Sequence, residues 1–183
     1  MKPTHRGKMP NVVAGLATLR SKWMVTITML MFAALAVVGA PSVQAGDGKV
    51  YPGSMGVRSG GTSTPKIFFS AIGNPSTDNW LYVHLPIIND SNNGIQRGWV
   101  RVIDMNSRSN ITCSLNAIYR SGPDWYGWWT PARSSSGKAS YDQILTFGSV
   151  GGSGIAHFYY SASIPPMDGG NTSYITSYRA EER

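Results

Sequence analysis

The chain has 183 residues, a formal net charge of +7 and one cysteine. A single cysteine excludes an intramolecular disulfide and a four-cysteine zinc site. Charged residues make up only 14% of the chain and aromatic residues 11%, which excludes a disordered polyampholyte. The excess of basic residues is typical, at first sight, of a protein that binds nucleic acid or a membrane surface.

The amino terminus has the layout of a secretory signal peptide. Residues 1–23 contain five basic residues and no acid, and Met24–Val38 is an apolar run without charge. Pro41 ends this run, and small residues then precede a plausible cleavage position after Ala45. The run is shorter than the roughly 18–20 residues of a comfortable membrane span. We therefore predict cleavage, with an uncleaved anchor over Met24–Ala40 as the alternative.

Removal of the predicted signal peptide lowers the net charge of the remaining chain. The signal peptide is 1–45 and the mature domain is 46–183, with translation from Met9 instead of Met1 as an open alternative. The mature domain has 138 residues and keeps 11 of the 16 basic residues against all nine acids, a net charge of +2. Such a domain has little reason to bind phosphate backbones, so we expect no nucleic-acid partner. We expect a secreted or periplasmic protein that meets the membrane only transiently, through its signal.

The mature domain has the pattern of an all-β protein. Short runs rich in Val, Ile, Thr and aromatic residues alternate with clusters of Gly, Pro, Asn, Asp and Ser. Short strands at roughly ten-residue spacing predict a single β-sandwich or a jelly-roll-like domain. We expect Gly46–Val57 and Arg179–Arg183 to be irregular. The predicted strands are Lys66–Ile72, Asn79–Ile88, Gly98–Asp104, Asn110–Tyr119, Trp125–Thr130, Tyr141–Ser149, Ile155–Ser163 and Thr172–Tyr178.

Two of these strands alternate clearly between an apolar and a polar face. In the strand that ends at Ile88, the apolar face has Leu81, Val83, Leu85 and Ile87, and the opposite face has Trp80, Tyr82 and His84. In the strand that begins at Ile155, the core face runs from Ala156 to Ile164, and the solvent face has His157, Tyr159, Ser161 and Ser163. Because the sequence does not give the pairing of strands, it does not show whether the two polar faces merge.

The lone cysteine, Cys113, shares a strand face with Ile111, Leu115, Ala117 and Tyr119. This position favours a buried thiol that packs as a small hydrophobe. A catalytic nucleophile would need a neighbouring base and a lowered pKa, and no local motif provides one. An intermolecular disulfide is the alternative in an exported protein.

Four segments carry a resemblance to a protein group. They are Val50–Arg58 (VYPGSMGVR), Phe69–Ser76 (FSAIGNPS), Gly98–Asp104 (GWVRVID) and Ser163–Pro166 (SIPP). Together they resemble small exported proteins of proteobacteria that have no assigned activity, over most of residues 50–178. The resemblance implies export from a Gram-negative cell. Members of the group often have several cysteines, one of them at the position of Gly56, so the resemblance implies that Cys113 survives from a former disulfide set.

The densest aromatic feature is Trp125-Tyr126-Gly127-Trp128-Trp129. In a strand, Trp125 and Trp129 would face one way and Tyr126 and Trp128 the other. One interpretation, which the small size of the domain favours, is that these rings fill the core of the sandwich. The other is an exposed platform for sugar rings, since Trp and Tyr offer flat apolar surfaces with polar tips. Four further residues would extend such a platform: Trp80, Tyr82, Trp99 and Arg101.

Catalytic and metal-binding motifs are weak. The two histidines of the mature domain, His84 and His157, lack a metal-ligand spacing, and the aspartates lie mainly in turns. We therefore expect no metal ion and no cofactor. The sequence favours a non-enzymatic exported β domain that acts in binding or at the cell surface, and the most concrete form of this role is carbohydrate or envelope-glycan binding through the Trp cluster. A structural or protein–protein interaction domain of the cell envelope is the alternative, and a small hydrolase with dispersed catalytic residues is a third. The oligomeric state is open.

Overall fold

The computed structural model describes residues 48–90, 93–152 and 155–183. The predicted signal peptide lies outside these ranges. The described part contains a 3₁₀ turn (Gly53–Met55), and no helix in it is long and apolar enough to cross a membrane. Its strands are β1 Gly48–Pro52, β2 Val57–Gly60, β3 Lys66–Phe68, β4 Ala71–Gly73, β5 Leu81–Ile87, β6 Ile95–Ile103, β7 Thr112–Ser121, β8 Asp124–Trp129, β9 Arg133–Ser134, β10 Gln143–Phe147, β11 His157–Ile164 and β12 Tyr174–Glu182.

These strands form two antiparallel sheets that pack as a β-sandwich, as predicted. The first sheet has the order β10-β6-β12-β4-β3, and β1 pairs with β12 beside β4. The second sheet has the order β2-β5-β11-β7-β8, and β9 pairs with β7. Because most neighbours in a sheet are distant in the sequence, the pairing of strands could not be inferred from the order of the elements.

The core lies between the sheets and follows the predicted alternation. In the second sheet, Leu81, Val83 and Leu85 of β5 are fully buried, and the first sheet contributes the equally buried Val100 and Val102 of β6. Fully burying a side chain of this size stabilises a fold by about 1.5–3 kcal/mol. The apolar face predicted for β5 is therefore confirmed.

Buried tyrosines connect the two sheets. The Tyr160 hydroxyl of β11 donates a hydrogen bond to the carbonyl of Arg179 at 2.6 Å, and the Tyr178 hydroxyl of β12 donates to the carbonyl of Pro86 at 2.8 Å. Burial raises the pKa of both tyrosines. A Cβ atom at Gly98 would lie 1.8 Å from the Tyr160 hydroxyl oxygen, so only glycine allows this close approach.

Three predicted boundaries are wrong. The strand Lys66–Ile72 is instead the hairpin of β3 and β4, turning at Phe69-Ser70. The segment Gly46–Val57, expected to be irregular, contains β1 and the start of β2 within its described part. Likewise Arg179–Arg183 is not irregular, since β12 continues to Glu182 and pairs there with both β1 and β6.

Candidate functional site

The outer face of the second sheet joins the two polar faces that the sequence left separate. Strands β5 and β11 are neighbours, and their register places His84 opposite Ser161 and Tyr82 opposite Ser163. The ring of Tyr159, the next outward residue of β11, lies 4.5 Å from the imidazole of His84 between centroids. One continuous surface of aromatic and hydroxyl side chains results.

Strand β7 extends this surface with hydrogen-bonded polar side chains. The hydroxyls of Ser114 and Ser161 lie 2.9 Å apart across the β7–β11 pair. The Asn116 amide nitrogen donates to the Ser161 hydroxyl at 3.1 Å and to the Ser114 carbonyl at 3.0 Å. These contacts hold the three side chains in place. All three side chains are neutral, and each can both donate and accept hydrogen bonds.

The outer face of the second sheet is almost free of formal charge. Strands β5, β7, β8 and β11 lie wholly within the described ranges, and Arg120 is the one formally charged residue among their outward-facing positions. It lies near the end of β7, opposite Trp125. A face of this composition suits a neutral polar ligand better than a phosphate or a carboxylate.

Two shallow grooves cross this face on either side of His84. The first has a volume of about 370 Å³ and is lined by His84, Pro86, His157 and Tyr159. The second has a volume of about 310 Å³, and Tyr82, Ser114 and Ser161 are among its lining residues. His84 borders both grooves. Burial lowers the pKa of His84 from its ordinary value of 6.5, so the neutral imidazole offers one donor and one acceptor at neutral pH.

The Trp-rich segment forms β8, the strand at the edge of the second sheet, and the core interpretation of its rings is wrong. Trp125 is 62% exposed and Trp129 is 72% exposed, and Tyr126 and Trp128 are also exposed. Strand β8 forms a hairpin with β7 through the two-residue turn Gly122-Pro123, in which Gly122 has φ +63°. A positive φ at the first residue of such a turn favours glycine.

The rings of β8 lie on both sides of this hairpin. Trp129 pairs with Asn116 and so borders the hydrogen-bonded polar row, while the Arg120 guanidinium lies 5.9 Å from the ring centroid of Trp125. On the other side, Tyr126 and Trp128 both stack on Tyr119, with ring centroids 5.2 Å apart in each pair.

The other predicted platform residues lie in different places. Tyr82 is on the outer face of the second sheet, and Trp80 is half-buried just before β5. Trp99 and Arg101 are in β6 of the first sheet, with the Arg101 guanidinium 5.0 Å from the Trp99 ring centroid. Because the neighbouring Val100 and Val102 point into the core, these two side chains point to the opposite outer face. Packed sheets lie about 10 Å apart, so the structure does not join Trp99 and Arg101 to the Trp cluster.

The remaining candidate groups have clear positions. Cys113 is buried and free, as expected, and burial raises the pKa of its thiol, which disfavours a nucleophilic thiolate. Within the described ranges, no hydrogen bond is found between a histidine and a carboxylate, and no group of three or more His, Cys, Asp and Glu side chains could hold a metal ion.

The proximity of Tyr159, Ser161, Ser114 and Asn116 on one face could not be predicted from the sequence. The alternation of apolar and polar residues placed Tyr159 and Ser161 on a solvent face, and this was the only feature of the sequence that pointed to them. It could not show that this face adjoins His84 on one side and β7 on the other, because that depends on long-range pairing.

Comparisons with known proteins find similarity only among solved structures. No protein-family model matches the chain and no curated protein matches it, so the resemblance to exported proteobacterial proteins stays a prediction. One similar structure is a low-affinity xylan-binding module, CBM86, from Roseburia intestinalis, with 16% identity and a TM-score of 0.44 over 75% of this chain and 97% of that chain.

Two further structures have a similar degree of likeness. The C-terminal CBM6 of LamC, a laminarinase from Zobellia galactanivorans, has 12% identity and a TM-score of 0.43 over 74% of this chain and all of that chain. The module CBM6cm-2 of Cellvibrio mixtus lichenase 5A, solved with cellotriose, has 12% identity and a TM-score of 0.36 over 74% of this chain and 97% of that chain. At these values the likeness assigns no ligand and no site to this chain.

Proposed function

We propose that this protein is an exported, non-enzymatic carbohydrate-binding domain and that its ligand lies on the outer face of the second sheet. The observation that carries the proposal is the continuous surface from Tyr82 through His84 and Tyr159 to Trp129, in which aromatic rings alternate with neutral polar groups. Several of the similar structures are carbohydrate-binding modules by name, which agrees with the proposal but does not carry it.

The chemistry of this face matches the chemistry of a sugar. The apolar face of a sugar ring stacks on a Tyr or Trp ring, and its hydroxyls need partners that both donate and accept hydrogen bonds. The hydroxyls of Ser114 and Ser161 and the amide of Asn116 provide such partners, and their mutual hydrogen bonds fix them before any ligand arrives. Pre-ordered groups lose less conformational entropy on binding.

The spacing of the aromatic rings favours an oligosaccharide over a single sugar. Tyr159, Asn116 and Trp129 lie in one row across β11, β7 and β8. Two strand spacings separate Tyr159 from Trp129, about 9.5 Å. A ligand that contacts both rings must therefore cross β7, the strand between them, and pass over Asn116. We infer a neutral polysaccharide segment, met outside the cytoplasm after export through the predicted signal peptide.

A second candidate is a protein-interaction domain, and the edge position of β8 favours it. An edge strand presents backbone groups that can pair with another chain, and β8 has exposed rings on both sides. The two candidates differ in the residues they require. Protein pairing on β8 would depend on Trp125, Tyr126, Trp128 and Trp129, whereas glycan binding would also depend on Tyr159, which lies two strands away.

The test is retention of the exported protein on neutral polysaccharides, measured by affinity electrophoresis with soluble xylan and β-glucan and by pull-down with insoluble cellulose. We expect Trp129→Ala and Tyr159→Ala each to weaken binding roughly two- to tenfold, since stacking on one ring contributes about 0.5–1.5 kcal/mol. The matched control is Trp99→Ala, which removes the same side chain from the opposite face and should leave binding unchanged.

Three results would contradict the proposal. Binding to no neutral polysaccharide would contradict it, as would an equal loss of binding in the Trp99 variant. A loss confined to the β8 variants, with capture of an envelope protein in place of a glycan, would favour the protein-interaction candidate. Far-ultraviolet circular dichroism of each variant separates these outcomes from misfolding.

A further inference from the structure

The hairpin of β3 and β4 exposes apolar side chains at the far edge of the first sheet. Phe69 at its tip is 88% exposed, and Ile67 and Phe68 are each about half exposed (52% and 51%). Strand β3 is the last strand of the first sheet, and in the described ranges no strand pairs with its outer edge. The hairpin lies in a different sheet from the proposed glycan face.

The backbone of this hairpin holds Phe69 in an unfavourable conformation. Phe69 and Ser70 form a two-residue turn between the paired Phe68 and Ala71, and Phe69 has φ +51°. It is the one non-glycine residue with positive φ in the described ranges. The first position of a two-residue hairpin turn with positive φ usually carries glycine, and a bulky residue there is strained. Both the strain and the exposure oppose stability of the isolated domain, which favours a binding role for the tip.

The apolar tip has a defined shape. The rings of Phe68 and Phe69 meet edge to face with centroids 4.6 Å apart, and Phe68 also lies 6.2 Å from the ring of Tyr174. The Ser54 backbone N–H donates to the Ser70 carbonyl at 2.7 Å, which fastens the tip to the 3₁₀ turn. The next residue, Met55, is 40% exposed and adds a flexible apolar side chain beside the tip.

The charge of this part of the chain points to a negatively charged partner. Residues 50–77 contain no acidic residue, and their two basic residues are Lys66, which begins β3 itself, and Arg58, which lies in β2 of the second sheet. Exposed Phe and Met side chains beside a basic residue suit shallow insertion into an anionic lipid interface.

We propose that the β3–β4 hairpin is a membrane-contact tip, in which Phe68 and Phe69 insert into the interface of an anionic lipid bilayer and Lys66 contacts the lipid headgroups. The domain would then be held at a membrane surface while the outer face of the second sheet remains accessible. The partner is a lipid surface and not a protein, because β3 is only three residues long and begins with Lys66, whereas a protein-binding edge strand would be longer.

Sedimentation with lipid vesicles tests this proposal. The protein is recovered after export and mixed with phosphatidylcholine vesicles, with and without phosphatidylglycerol. We expect binding to the anionic vesicles, roughly tenfold weaker binding for the double variant Phe68→Ser/Phe69→Ser, and weaker binding in high salt. The matched control is Ile144→Ser, which removes a 54%-exposed apolar side chain from another edge strand, β10, and should leave vesicle binding unchanged.

The single variant Phe69→Gly separates binding from folding. Glycine adopts positive φ without strain, so this variant should have an unchanged or higher melting temperature and still bind vesicles less well. The proposal is overturned if wild-type protein does not sediment with anionic vesicles, or if the serine and glycine variants bind as well as wild type. A change of oligomeric state in the double variant without any vesicle binding would identify the tip as a contact between copies of the chain.

Discussion

The outer faces of the two sheets differ in how their side chains are paired. On the first sheet, Arg97 and Arg179 both form ion pairs with Glu181, and the Arg179 pair measures 2.9 Å. On the second sheet, the central positions have rings and hydroxyls, such as Tyr159 and Ser161, in place of charges. The first face is therefore organised around its own ion pairs, while the second presents neutral groups that a ligand can use.

The same contrast appears in two Trp–Arg contacts of the described residues. Arg101 lies 5.0 Å from the ring centroid of Trp99, and Arg120 lies 5.9 Å from that of Trp125. Trp99 is half-buried and its cross-strand neighbour is Arg179, within the ion-paired face. Trp125 is 62% exposed on a projecting hairpin. An aromatic residue beside an arginine is therefore not by itself a sign of binding, and exposure and neighbouring charge decide its role.

The largest expected effect comes from Asp104, whose loss should disrupt both faces at once. This fully buried carboxylate accepts hydrogen bonds from the Ser135 and Ser173 hydroxyls and from the backbone N–H groups of Asn106 and Ile111. These partners flank strands of both sheets. We expect Asp104→Ala to lower the free energy of unfolding by about 3–5 kcal/mol, because it leaves several buried donors without an acceptor. Urea denaturation followed by Trp fluorescence measures the change.

The control for this variant is Asp168→Ala, which removes an exposed carboxylate that accepts from the Ser107 backbone N–H at 2.9 Å. We expect its midpoint in urea to move much less than that of the Asp104 variant. If the Asp104 variant unfolded at the same urea concentration as the wild-type protein, the prediction would be wrong. The hydrogen bonds of this carboxylate would then contribute little to the stability of either sheet.

The sequence predicted which residues point outward, but not which outward residues meet. Alternation identified the polar face of Tyr82 and His84 and that of Tyr159 and Ser161, because the period of a strand is a local property. Their union depends on β5 pairing with β11, about 75 residues away in the chain. For the same reason Trp99 could not be assigned to the opposite side of the sandwich.

The prediction failed elsewhere for local physical reasons. Phe69-Ser70 has no glycine, proline or asparagine to mark a turn, so β3 and β4 appeared as one strand. The segment Arg179–Arg183 was expected to be irregular, yet the side chains of Glu181 and Glu182 are largely buried in ion pairs with Arg179 and Lys49. The four rings of β8 suggested a core because large aromatic residues usually fill one, whereas the projecting hairpin leaves them exposed.

Smaller effects are expected from removing one hydroxyl group on either side of β11. Tyr159 and Tyr160 are adjacent in β11 but point to opposite sides. We expect Tyr160→Phe to lower the free energy of unfolding by about 1–2 kcal/mol, since it leaves the buried Arg179 carbonyl without its donor, and to leave glycan affinity unchanged. Tyr159→Phe should do the reverse, with a two- to fivefold weaker affinity (about 0.5–1 kcal/mol) and an unaltered unfolding midpoint.

Thermal unfolding and affinity electrophoresis on the same two proteins measure both quantities. The assignment of Tyr160 to the core and Tyr159 to the binding face would be wrong if Tyr159→Phe lowered the melting temperature as much as Tyr160→Phe. It would also be wrong if both variants bound polysaccharide with the affinity of the wild-type protein.

The smallest expected effect is a pH dependence that originates at His84. Burial lowers the pKa of His84 below its ordinary value of 6.5, so the unfolded chain takes up a proton at a higher pH than the folded chain does. The free energy of unfolding should therefore fall as the pH drops below about 6.5, until the pH passes the folded-state pKa. Protonation also removes the acceptor nitrogen of the imidazole and places a positive charge between the two grooves.

Glycan affinity and melting temperature should consequently both be lower at about pH 5 than at about pH 7.5. His84→Gln keeps a neutral donor and acceptor at every pH, so it should lose this part of the pH dependence. His157→Gln, a substitution in a different strand that borders the same groove and leaves His84 intact, should retain it. An identical pH profile in the wild-type protein and in the His84 variant would exclude His84 as the source of the pH dependence.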